Sequence, residues 1–178
     1  FSEALQSCGG QVLPPKGYFG EVARHIHEAG GLVVIDEVQT GYGRVGNKFW
    51  AHQIYDDGLV PDIVTMGKPM GNGFPVSAVV TRREIMDALG GHVDYFNTYG
   101  GNPVACAAVL GVLSVIKEEG LMEHADRMGK VYERELSKLK QKHQCVGDIR
   151  GIGQFWGVDL VKSRETREPN TELALALI

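Results

Sequence analysis

Two short, unbroken apolar runs constrain this chain most, because each ends in a residue able to do chemistry. Leu32-Val33-Val34-Ile35 leads into Asp36, and Ile63-Val64-Thr65-Met66 leads through one glycine to Lys68. Runs rich in β-branched residues read as strands buried on both faces, the habit of a parallel sheet. Helical periodicity alternates with them. Tyr18 to Ala29 spaces Phe19, Val22, Ala23 and Ile26 along one stripe and stops at Gly30-Gly31, so a helix ends where the first strand begins. Val76 to Val80 reads as another strand and Arg82 to Leu89 as a helix, and Pro103 opens the apolar helix of Ala105 to Ile116. Strands alternating with helices predict an α/β fold.

Beyond Glu118-Glu119-Gly120 the pattern changes. Leu121 to His143 is a charged helix with Met122, Ala125, Met128, Val131, Leu136 and Leu139 on its apolar side. Strand candidates Val146 to Arg150 and Phe155 to Val161 follow, joined by Gly151-Ile152-Gly153, and together they read as a smaller α+β unit. The sequence opens without methionine, and Thr171 to Ile178 is a helical pattern cut short. The expectation is an internal piece of a longer protein.

Composition narrows the partners. With 18 basic and 22 acidic residues, a net charge of −4 and a pI near 5.9, the chain lacks the basic field that nucleic-acid binding needs. No apolar stretch approaches the roughly 18 residues of a membrane span. Cys8, Cys106 and Cys145 show no paired spacing, which fits a reducing, intracellular compartment. His25 and His27 point to different faces of one helix, so no metal site is expected there.

Gly41-Tyr42-Gly43-Arg44-Val45-Gly46 matches the dinucleotide fingerprint G-x-G-x-x-G. That reading fails on context: Glu37 to Thr40 separate the strand from the first glycine, and no helical start follows the third. Asp36 and Lys68 are the stronger constellation. In a parallel sheet the carboxyl ends of neighbouring strands share one edge, where ligands bind. A desolvated lysine there can act as a Schiff-base nucleophile, and an aspartate opposite can hold a heteroaromatic nitrogen protonated. Spacing alone leaves a plainer alternative open, in which Asp36 caps a turn and Lys68 is a surface cation.

The neighbouring residues add a resemblance. Asp36-Glu37-Val38-Gln39-Thr40-Gly41-Tyr42-Gly43-Arg44, Pro61-Asp62-Ile63-Val64-Thr65-Met66-Gly67-Lys68 and Thr98-Tyr99-Gly100-Gly101-Asn102-Pro103 resemble, in order and spacing, the class III pyridoxal-phosphate-dependent aminotransferases. Ser7-Cys8-Gly9-Gly10-Gln11, Met66 to Gly73 and Gly147-Asp148-Ile149-Arg150 are most similar to the branch that holds alanine–glyoxylate aminotransferase 2 and the phospho-lyases of ethanolamine phosphate or phosphohydroxylysine.

The resemblance implies a type I PLP-dependent transferase fold, with residues 1–118 as the later part of the large domain and 119–178 as the start of the C-terminal small domain. It implies that Lys68 forms the Schiff base with pyridoxal 5'-phosphate and later moves the proton between substrate Cα and cofactor C4′. Asp36 would pair with the ring nitrogen, Val38 would pack on the ring face, and Gln39 would lie near the ring hydroxyl. Thr98 matches the residue that donates to the cofactor phosphate of a neighbouring subunit, which implies a homodimer or a dimer of dimers. The reaction implied is transfer of an amino group from an amino acid or amine to a 2-oxo acid, in the cytoplasm or mitochondrion. The alternatives are phosphate elimination by a phospho-lyase and a catalytically incomplete piece. Cys8 stands where ω-amine members carry a glutamate, and Phe74 and Thr40 stand where the phospho-lyases carry histidine and valine.

Overall fold

A computed structural model describes residues 1–178. Strands β1 (Ser2–Glu3), β2 (Val34–Asp36), β3 (Ile63–Met66) and β4 (Ala78–Thr81) form one sheet in chain order. β1 and β3 flank β2 in parallel, with Val34 opposite Ile63 and Asp36 opposite Thr65. β4 runs antiparallel to β3. It starts at Ala78 rather than Val76, because the connection over residues 67–77, which opens with a 3₁₀ turn at Lys68–Met70, reverses the chain before pairing begins. β2 is also shorter than its apolar run, and Leu32, ahead of it, is exposed.

Helix α1 (Tyr18–Glu28) covers one face of the sheet. Phe19 and Ala23, from the stripe read in the sequence, pack into the core with Leu5, Val33, Ile35 and Tyr55. Such burial is the main driving force of folding. The Tyr55 hydroxyl donates to the Ala4 carbonyl at 2.7 Å, so the one polar tip inside this core is satisfied.

Asp62 fixes the entry of β2 and β3. Its buried carboxylate accepts the Val33 N–H at 2.7 Å and pairs with His27 Nε2 at 2.8 Å and Arg82 Nη1 at 3.0 Å. Burial pushes this carboxyl up, but the Val33 N–H, His27 and Arg82 together outweigh burial and hold it below its ordinary value of 3.8. A carboxyl depressed in the folded state stabilises the fold fully above its unfolded value, and that contribution is lost as pH falls through the lower folded value. Acid unfolding of the full-length protein should therefore lose part of its steepness below about pH 4 in Asp62→Asn. An acid limb identical to wild type would remove Asp62 from this role.

Helices α2 (Arg83–Gly90) and α3 (Pro103–Glu118) follow. Asn102 caps α3, its Oδ1 accepting the Ala105 N–H at 2.9 Å, and Pro103 takes the first helical position where a missing N–H costs nothing. The long helix α4 (Leu121–Lys142) leads to the antiparallel hairpin β5 (Val146–Ile152) and β6 (Phe155–Leu160), and α5 (Thr171–Ala176) closes the chain. Arg150 ties the hairpin back to the first residues. Its guanidinium pairs with Asp148 at 2.9 Å and donates to the Gly10 carbonyl at 2.9 Å.

The glycine fingerprint does something other than bind phosphate. Residues 38–50 form a chain of turns that ends in a short 3₁₀ turn, Ala51–Tyr55, rather than an α-helix, and α4 and the hairpin turn close onto those turns. Gly46 has φ +94°, and a Cβ there would sit 2.9 Å from the Asp126 Cα and N. Both the left-handed backbone and the close approach of α4 demand glycine. Gly46→Ala should cost about 2–4 kcal/mol, read by chemical denaturation of the full-length protein. A loss below about 0.5 kcal/mol would mean that α4 does not seat there.

Candidate active site

The carboxyl edge of the sheet gathers the residues singled out in the sequence. Asp36 is the last residue of β2, and Lys68 stands just past Met66, the last residue of β3. Because β2 and β3 are parallel, both residues lie on one edge. Asp36 is half-buried, and its Oδ1 accepts the Val38 N–H at 2.8 Å. This bond turns the chain sharply away from the strand. The other Asp36 oxygen makes no hydrogen bond within the chain.

Lys68 opens a short 3₁₀ turn, Lys68–Met70, with φ +36°, a conformation that costs a side-chain-bearing residue energy. Its side chain is exposed, and its amine makes no hydrogen bond or ion pair. The Val38 side chain lies against Gly67, the residue before Lys68: a Cβ built on Gly67 would meet Val38 Cγ1 at 3.7 Å. Gln39 is half-buried beside it, without a side-chain hydrogen bond. Thr65, paired in register with Asp36, carries the one buried side-chain polar atom in the chain that has no partner, its Oγ1.

Thr98 lies apart, on the exposed loop before α3. Its hydroxyl is not spent on that loop, whose turn is made by Asn97 Oδ1 accepting the N–H groups of Tyr99 and Gly100 at 3.3 and 3.0 Å. A cleft of about 380 Å³ adjoins this loop, between Pro75–Ser77 and Tyr99–Asn102. A second cleft, about 390 Å³, lies among Gly43, Arg44, Pro69, α3 and α4. Neither is lined by Asp36 or Lys68.

Glu37 escaped the sequence reading. It is 0% exposed, and its carboxylate accepts the Ala51 N–H at 3.0 Å, the His52 N–H at 2.9 Å and the Thr40 hydroxyl at 3.1 Å, and pairs with His52 Nδ1 at 2.8 Å. These bonds fasten the backbone that carries Asp36, Val38 and Gln39. The available signal was an acid directly after a buried run, which must find donors or unfold the site.

The family model for aminotransferase class-III matches residues 1–177. The chain belongs to this family. Ethanolamine-phosphate phospho-lyase homolog 1 of Caenorhabditis elegans is 68% identical over 178 residues, which are 100% of this chain and 38% of that protein. A phospholyase from Arthrobacter, solved in complex with phosphoethanolamine, superposes with a TM-score of 0.87 at 45% identity, covering 94% of this chain and 39% of that one. The taurine:2-oxoglutarate aminotransferase of Bifidobacterium kashiwanohense, solved with PLP and glutamate, gives a TM-score of 0.87 at 34% identity over 97% of this chain and 40% of that one. The chain thus spans about two fifths of the length of the proteins it matches. Its α/β architecture is part of the type I fold of class-III aminotransferases.

Thr40 and Phe74, which the sequence marks as departures from the phospho-lyases it resembles, lie in different surroundings. Thr40 is fully buried, its hydroxyl donating to Glu37. Phe74 is exposed in the turn after Lys68. No helix of the chain is long and apolar enough to cross a membrane.

Proposed function

We propose that the full-length protein is a pyridoxal-phosphate enzyme that breaks the C–H bond next to the amino group of a primary amine. One observation carries this reading: a free amine at Lys68 and a half-free carboxylate at Asp36 share the carboxyl edge of two parallel strands, with the Val38 side chain beside them. The donor set suits the cofactor, which asks for an amine to condense with its aldehyde, an anion for its ring nitrogen and an apolar contact for its face. Bound pyridoxal phosphate supplies an electron sink for the pair left when a bond at the substrate carbon is broken.

Lys68 would hold the aldehyde carbon, yield it to the incoming amine, and then take the Cα proton on its freed Nζ. Asp36, fixed by the Val38 N–H, would hold the ring-nitrogen proton in place throughout. Gln39 is assigned to the ring hydroxyl and Thr98 to the cofactor phosphate of a second subunit, so the working unit would be a dimer. Residues 1–118 would belong to the cofactor-binding domain and 119–178 to the small domain. We place the reaction inside the cell, in cytoplasm or mitochondrion; the three free cysteines suit a reducing compartment.

The family motifs support transfer of the amino group to a 2-oxo acid. A second reading, phosphate elimination from ethanolamine phosphate or phosphohydroxylysine, is favoured by the 68% identity to a phospho-lyase homologue and by the likeness to a phosphoethanolamine-bound phospholyase. Both share proton removal by Lys68 and divide afterwards. Full-length protein given ethanolamine phosphate with and without a 2-oxo acid separates them: inorganic phosphate released without oxo acid means elimination, and a new amino acid formed only with oxo acid means transfer. Neither product from any amine tested would refute the proposal. Asp36→Asn should slow either reaction by about 10²-fold or more, since a neutral amide no longer holds a positive ring nitrogen. An unchanged rate would leave Asp36 only its turn to stabilise.

A further inference from the structure

Across the carboxyl edge the register aligns Glu3, Asp36, Thr65 and Val79 in one row over the four strands. Side chains in register on neighbouring strands rise on the same face, about 4.8 Å apart strand to strand. Glu3 is occupied locally, accepting the Ser7 N–H at 2.9 Å. Asp36 is half-occupied, through its Val38 N–H. Thr65 has no partner although its oxygen is buried.

A buried orphan hydroxyl in a strand is costly, and a valine of the same shape would fill the position without that cost. The hydroxyl thus needs a use that arises only when the site is engaged. The adjoining residue of the row that keeps an open acceptor is Asp36. We infer that Thr65 is a positioning residue that donates to Asp36 when that carboxylate engages the cationic ring nitrogen of the cofactor, locking it between the Thr65 hydroxyl and the Val38 N–H. This inference rests on the cofactor reading above.

The test compares full-length wild type, Thr65→Val and Thr65→Ser. Thr65→Val should weaken pyridoxal-phosphate affinity by about tenfold or more, while its cofactor-free form melts at or above the wild-type temperature. Thr65→Ser, which restores the donor, should bind within about threefold of wild type. The pH midpoint of the visible absorbance of the loaded protein should move in the valine variant and not in the serine variant. A valine variant that binds the cofactor as tightly as wild type overturns the inference. So does a loss of affinity in both variants accompanied by lower melting of their cofactor-free forms, which would assign Thr65 to packing. If wild type itself takes up no pyridoxal phosphate, the cofactor reading falls, and this inference with it; normal wild-type uptake beside an unaffected valine variant sinks only the latter.

Discussion

Lys68→Ala in the full-length protein is expected to lower turnover by at least about 10³-fold and to abolish the visible absorbance of the loaded enzyme. No other lysine directly follows β2 or β3 in the chain. The exposed Lys68 side chain makes no hydrogen bond or ion pair, so truncation removes no polar contact within this chain, and unfolding should be little changed. The variant therefore separates chemistry from stability. Turnover close to wild type with intact absorbance would strip Lys68 of its role.

The second large effect belongs to Glu37. Removing its carboxylate leaves the Ala51 and His52 N–H groups and the Thr40 hydroxyl buried without acceptors, and opens a void where a fully buried side chain stood. Glu37→Ala should therefore destabilise the full-length protein by about 3–5 kcal/mol, measured by chemical denaturation. Glu37→Gln keeps the volume but turns an amide toward donors, so its loss should be smaller yet clear. Less than about 1 kcal/mol lost in Glu37→Ala would show that the loop behind Asp36 is held by something else.

The contrast between Lys68 and Glu37 shows what this sequence makes legible. Asp36 and Lys68 could be placed on one edge because two β-branched runs in succession imply parallel strands, and the parallel register settles which ends adjoin. Helices α1 and α4 were legible through their apolar stripes, and α3 through Pro103 at its start. The direction of β4 was not, because it depends on the turn over residues 67–77, where a local reversal leaves no hydrophobic period to follow. β1 was missed for a plainer reason: Ser2–Glu3 is two polar residues held by strand pairing alone.

Glu37 and Asp62 stayed hidden because their partners are distant in sequence and chosen by tertiary packing. Glu37 finds donors at residues 51 and 52, and Asp62 finds Val33, His27 and Arg82. Periodicity cannot report such bonds. The G-x-G-x-x-G stretch illustrates the converse. Its context in the sequence already argued against a dinucleotide site, and the structure supplies the true demand for glycine, the close seating of α4 on Gly46.

The most direct measurement is reduction of the full-length protein with borohydride in the presence of pyridoxal phosphate, followed by peptide mapping. A single stable adduct is expected, on the peptide that contains Lys68. An adduct on Lys16 or Lys48 with residue 68 unmodified, or no adduct at all, would contradict it.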